Sequence, residues 1–155
     1  MLKKYLIRPV VIILLLGFSV GVFFFSGALE KERKSFWGKE VREVRIGENI
    51  FQVEIAATPA KRNQGLFGRK ELCRDCAMLF LFSEKGLYPF WMKEMNFDLD
   101  IIWIDKNEIA HIAKNVSRKK ELEIIRPDCE ADKVLEINAG LADKLGIKTG
   151  DKIEF

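Results

Sequence analysis

From Phe97 to Asp105 the chain runs Phe-Asp-Leu-Asp-Ile-Ile-Trp-Ile-Asp, and this stretch constrains the fold more than any other. Alternate side chains of a strand point to opposite faces. Phe97, Leu99, Ile101 and Trp103 therefore share one face, and Asp98, Asp100, Ile102 and Ile104 the other. The first face is apolar throughout. The second opens with two carboxylates and closes with two isoleucines, as in a strand that enters a core from a polar mouth, with Asp100 at the transition. Just upstream, Phe90-Trp91-Met92-Lys93 sets an apolar cluster around one lysine.

Further strands are predicted around this one. Phe51, Val53 and Ile55 alternate with Gln52 and Glu54, the pattern of a half-buried strand. Met78 to Phe82 is a continuous apolar run too short for a typical helix and reads as a strand buried on both faces. Asp105-Lys106-Asn107-Glu108 turns the chain back into Ile109–Ala113, giving a hairpin. Val134–Ile137 and Lys152–Phe155 are the last two strands, with a short strand at Leu122–Ile125 inside the long segment 115–133.

Helices are brief. Thr58 and Pro59 provide an N-cap and a first-turn proline, and Gly65 and Gly68 end the helix soon after. Leu141–Leu145 makes about one turn, closed by Gly146. Strands with two short helices predict a small, mainly antiparallel β barrel or sandwich over residues 44–155.

The N-terminus is of another kind. Residues 9–29 are uncharged and mostly apolar, and as a helix they would span roughly 31 Å, the thickness of a bilayer core. Lys3, Lys4 and Arg8 precede them. The length favours a single transmembrane anchor with its basic tail in the cytoplasm and the remaining chain outside. Ser26-Gly27-Ala28 also offers a cleavage position for a signal peptide. Residues 30–43 are charged around the aromatic pair Phe36-Trp37 and read as a juxtamembrane linker.

The same three basic residues account for the net charge of +3. Setting them aside from the 26 basic residues leaves 23, equal to the 23 acidic ones. A charge-balanced domain argues against nucleic acid as a partner, since nucleic-acid binders present a basic face. No phosphate-binding glycine loop, nucleophile elbow or helical metal motif occurs in the sequence.

Three cysteines are present: Cys73 and Cys76, spaced CxxC, and Cys129. A thioredoxin-type site needs a helix starting at the first cysteine, whereas this motif runs into a strand. Zinc held by Cys73, Cys76, Cys129 and His111 is possible by count, but one CxxC is a weak signal. In an exported domain a structural disulfide is the expected use. Cys129 joined to Cys73 or Cys76 would tie the long loop to the β body. His111, the sole histidine, shares a strand face with Ile109 and Ala113, as a half-buried ring with a satisfied nitrogen does.

Several motifs fall in a fixed order: Arg62-Asn63-Gln64-Gly65-Leu66-Phe67-Gly68-Arg69, Met78-Leu79-Phe80, Phe90-Trp91-Met92-Lys93, Leu99-Asp100-Ile101, Val134 to Gly140, and Gly150-Asp151. Together they resemble the family called domain of unknown function 192. The resemblance implies a small β-rich domain of barrel type or a jelly-roll-like sandwich, often exported or membrane-anchored in prokaryotes. It carries no activity. The family's shared polar positions match Arg62, Arg69, Lys93, Asp100 and Glu136. Glu94 and Asp98 depart from the asparagine and proline of many members, and the CxxC is no part of the general pattern, which favours a local role for it.

These residues predict a membrane-tethered, non-catalytic extracytoplasmic domain with no cofactor. Arg62, Arg69, Trp91, Lys93, Asp100 and Glu136 would line a mouth that binds a small polar ligand or a polysaccharide surface of the cell envelope. One alternative is a hydrolase using Asp100 and Glu136, which needs their carboxyls about 5–10 Å apart. Another is a structural or interaction module of an envelope complex, presenting a flat apolar patch.

Overall fold

The computed structural model describes residues 41–155. The chain order is β1 Val41–Ile46, β2 Asn49–Ala56, α1 Pro59–Gln64, β3 Cys76–Gly86, β4 Phe90–Trp91, β5 Leu99–Asp105, β6 Glu108–Val116, β7 Ile124–Ile125, β8 Ala131–Asn138, α2 Leu141–Lys144 and β9 Ile153–Glu154. Seven strands form one sheet in the order β6-β5-β8-β3-β2-β1-β9, and β4 pairs with β7 as a separate ribbon.

The sheet is mixed rather than fully antiparallel, because β2 and β3 pair in parallel. Parallel neighbours need a crossover rather than a tight hairpin. Residues 57–75 provide it and carry α1. Thr58 caps that helix as the sequence predicts, accepting from the Lys61 backbone N–H at 3.2 Å, with Pro59 in the first turn. Gly65 ends it at φ +47°, and a Cβ there would lie 3.4 Å from the Phe80 ring. That glycine lets the end of α1 settle against β3.

The sheet curls into a half-barrel whose edge strands meet at one end. Glu108 and Lys152 form an antiparallel bridge, the Ile109 N–H donates to the Asp151 carbonyl, and the Gly150 N–H donates to the Ile109 carbonyl. Apolar side chains cover both faces. The inside of the curl holds Val44, Phe51, Val53, Leu79, Ile102, Ile104 and Ile137. The other face holds Leu66, Met78, Phe80, Met92, Ile101, Trp103 and Val134. Strand β5 is thus buried on both sides, and the expected entry from a polar mouth at Asp100 is not what forms: Asp100 is fully buried.

Two boundaries also move. β1 begins at Val41, inside the stretch 30–43 read as linker. Val44 and Ile46 point into the core while Arg42, Glu43 and Arg45 face outward, and those charges mask the strand in the sequence. The two ends of the long segment 115–133 belong to β6 and β8, and between them only the two-residue β7 forms, which joins β4. The expected membrane segment, residues 9–29, lies outside the described residues; among those described, no helix is long and apolar enough to cross a membrane.

Candidate functional site

Strand register builds the site. Glu54 on β2 pairs with Met78 on β3, Met78 with Glu136 on β8, and Glu136 with Ile101 on β5. These four form a row on the face away from the inside of the curl, and the row contains two buried carboxyls. Glu54 is met by Arg69, whose two terminal nitrogens donate to its oxygens at 2.5 and 2.9 Å. Both side chains are about nine-tenths covered. A bidentate guanidinium–carboxylate pair suits such a place, since a buried charge needs a partner of matching geometry.

Glu136 is 5% exposed, and no side-chain hydrogen bond or ion pair reaches it among the described residues. Burial pushes its carboxyl up to about 8, with the positive charge of Arg69 working in the other direction. It is therefore a neutral acid at pH 7, with one O–H to donate and oxygen lone pairs to accept.

Glu136 lies on the floor of a cleft of about 220 Å³. One wall is the end of α1, where Arg62, Asn63 and Gln64 face the opening; the other is β4 with Trp91 and, just beyond it, Lys93. Arg62 fixes its own wall, its Nη1 donating to the carbonyls of Ala57 at 2.7 Å and Leu81 at 2.9 Å. Its guanidinium also stands 5.1 Å from the centre of the Phe82 ring. Across the cleft, the Lys93 ammonium stands 5.4 Å from the centre of the Trp91 ring. Phe90 meets Phe80 and Trp103 edge to face, at 5.0 and 5.8 Å between ring centres. The Trp103 indole N–H is taken up by the Tyr88 carbonyl at 2.8 Å. Trp91 itself is 58% exposed.

Of the six residues expected at a mouth, Arg62, Trp91, Lys93 and Glu136 meet at this cleft. Arg69 stands behind it in the pair with Glu54. Asp100 does not belong. Its register partner is Ile137, so it faces the inside of the curl while Glu136 faces the cleft. Its two oxygens accept from the backbone N–H of Asn115 at 2.7 Å and of Ala142 at 2.8 Å, the second lying in the first turn of α2. Asp100 is thus a buried cap, and its carboxyl and that of Glu136 point to opposite faces of the sheet rather than into one cleft.

Glu54 is the residue that strand alternation misplaced, as an outward-facing polar position. The clue was Ala56, two residues on and fully buried on the same face. Asn63 and Gln64 at the cleft stand inside a motif whose arginines drew attention first.

The cysteines pair differently from the expected bridge through Cys129. Cys73 joins Cys76, and Cys129 is free. The turn between the first two, closed by the Cys76 N–H on the Cys73 carbonyl at 3.0 Å, already holds them together. Asn138 donates to the carbonyls of Leu72 and Cys73, pinning that turn to the end of β8. His111 Nδ1 lies 2.8 Å from an Asp128 carboxylate oxygen. No cluster of three potential metal ligands occurs among the described residues.

The fold and the cleft can be set beside known proteins. No functionally curated protein matches the sequence. A crystal structure of a protein of unknown function from Novosphingobium aromaticivorans DSM 12444 aligns with a TM-score of 0.71 at 35% identity, covering 76% of this chain and 87% of that one. A second, from Sinorhizobium meliloti 1021 and proposed to be a transcription regulator, aligns with a TM-score of 0.67 at 32% identity, covering 72% and 89%. The family model of DUF192, described as "Uncharacterized ACR, COG1430", matches residues 41–155, which is the whole of the described half-barrel, and the chain belongs to that family.

Proposed function

We propose that the domain binds a small, sugar-like polar ligand in the cleft between α1 and β4, without catalysing a reaction on it. The observation that carries this reading is Glu136. Its side chain is 5% exposed and takes no hydrogen bond among the described residues, so its carboxyl is left to water or a ligand entering the cleft. Here it lies where a ligand can reach it. The surrounding chemistry fits: an exposed aromatic platform at Trp91, with the planar amides of Asn63 and Gln64 opposite. Among the described residues, no second carboxyl lines the cleft with Glu136 to complete an acid–base pair: Glu54 is held by Arg69 and Asp100 lies on the other face.

The exposed side chains of Phe67 and Ile124 flank Trp91 and suit a ligand that continues past the cleft, such as the end of a polysaccharide. The apolar run 9–29 supports tethering to a membrane, with the domain outside the cytoplasm and an envelope component as its partner. The proposed role of the Sinorhizobium relative in transcription is not carried over, since the net charge of this chain beyond residue 29 is zero and lends DNA binding no support.

The test uses the full-length chain with its three tryptophans labelled with ¹⁵N. A panel of monosaccharides is added at tens of millimolar, and the indole N–H of Trp91 is assigned with Trp91→Phe. The expected result is that some members shift Trp91 while Trp103, whose N–H is already bonded, stays in place. If no member moves Trp91, the reading fails.

A further inference from the structure

We propose that the ligand is an acidic sugar: a pyranose-sized ring carrying one carboxylate, with the carboxylate drawn to Lys93 and a ring hydroxyl bonded to Glu136. This rests on the sugar-binding reading above and names the class of sugar.

Three observations lead there. The first is size. About 220 Å³ accommodates one six-membered sugar ring and little more. The second is charge. Among the described residues, the basic side chains lining the cleft are Arg62 and Lys93, and the one carboxyl there is the buried Glu136. Arg62 is engaged by two carbonyls, which leaves its charge unneutralised, and the only contact made by the Lys93 ammonium among the described residues is the face of Trp91. A neutral sugar would leave both charges unanswered; a carboxylate answers them. The third is the chemistry of the floor. A neutral carboxyl donates one hydrogen bond and accepts others, which complements a hydroxyl and does not repel a nearby anion.

The groups around Glu136 can be named from each element packed on it. Met78 of β3 and Ile101 of β5 are apolar neighbours in register. Arg69, following α1, contributes positive charge while held by Glu54 of β2. Arg62 of α1 and Lys93 after β4 face it across the cleft. Ionisation of Glu136 would put a negative charge beside the bound carboxylate and cancel part of the attraction. Its carboxyl sits at about 8 in the free protein, so binding of an anion holds from acid to neutral pH and weakens as pH rises through that value.

The experiment compares D-glucuronate with D-glucose on the full-length chain, read by the Trp91 indole. Glucuronate is expected to bind roughly tenfold more tightly at pH 7. Its Kd should then rise about tenfold between pH 7 and pH 9, while that of glucose changes little. Lys93→Met, at an exposed position, should bring glucuronate down to the affinity of glucose. Glu136→Gln, which keeps the donor and the acceptor but cannot ionise, should retain binding and flatten the pH profile. A Trp103 resonance in its wild-type position shows that each variant is folded. If glucose binds as tightly as glucuronate, the acidic class is wrong while the cleft remains a sugar site. A pH profile that persists in Glu136→Gln removes Glu136 from the recognition. If neither sugar moves Trp91, the sugar-binding reading itself falls, and this inference with it.

Discussion

Asp100 and Glu136 sit on neighbouring strands and face opposite sides of the sheet, because the register partner of Glu136 is Ile101. The two buried acids consequently have different work. Asp100 uses both oxygens on backbone donors and holds β6 and α2 against the end of β5. Glu136 uses neither oxygen within the described protein and opens on a cleft. One is a fixed part of the fold, and the other is available to something that binds.

Asp100→Asn removes one of two acceptor oxygens and leaves a buried N–H unsatisfied. Urea denaturation should show a loss of about 1–3 kcal/mol. Ligand effects on the Trp91 resonance should be unchanged, since the substitution lies on the far face.

Arg69→Met strips the guanidinium from Glu54 and leaves a carboxylate in a buried place. The expected destabilisation is about 3–5 kcal/mol, the range for breaking a buried pair by removing one partner. The same variant removes the charge that favours ionised Glu136, so the Glu136 carboxyl should titrate higher still. A purely structural role for Arg69 predicts the first effect without the second.

Glu136 makes stability depend on pH, and the sign follows from its raised folded value. Below the ordinary glutamate range the carboxyl is protonated both folded and unfolded, and it contributes no pH dependence. Between about 4.5 and about 8 the unfolded chain has lost the proton and the folded one keeps it, so stability falls as pH rises. Above that window the loss levels off, on the order of 5 kcal/mol. Glu136→Gln should therefore be clearly more stable than wild type at pH 9 and close to it at pH 5, by denaturant midpoints at the two values.

The disulfide arrangement is tested by counting thiols in denaturant without reductant. One free thiol is expected, and peptide mapping should place it at Cys129. The loop closed by Cys73–Cys76 is short, so its reduction should cost only about 2 kcal/mol by chain entropy. Cys129 should alkylate slowly in the folded protein, because burial and then the Asp128 carboxylate push its thiol up.

What the sequence revealed follows from whether a feature is local. The Thr58 cap, the Pro59 first turn and the Gly65 stop are set by residues next to one another, and all three form as read. The hairpin at Lys106-Asn107 is local too. Strand alternation correctly put Asp100 and Ile101 on opposite faces, but which of them shares a face with Glu136 depends on the register between β5 and β8, which is formed between strands far apart in the chain. With both faces of β5 apolar, nothing in its own residues marks the side with the cleft. The parallel pairing of β2 with β3 likewise comes from the crossover rather than from either strand. Trp91, Lys93 and Glu136 stand out as amphipathic or charged residues in apolar stretches, while Arg62, in a polar segment, joins them through the shared positions of the family the sequence resembles. Glu54 could not be grouped with them, since its burial depends on Arg69 arriving from another segment.

The most direct measurement is a ¹³C NMR titration of the Glu136 side-chain carboxyl in the full-length chain, assigned with Glu136→Gln and repeated with D-glucuronate. A midpoint near about 8 that moves upward when the sugar is added is the predicted result. A midpoint in the ordinary glutamate range, unmoved by the sugar, would contradict a buried acid kept for a ligand.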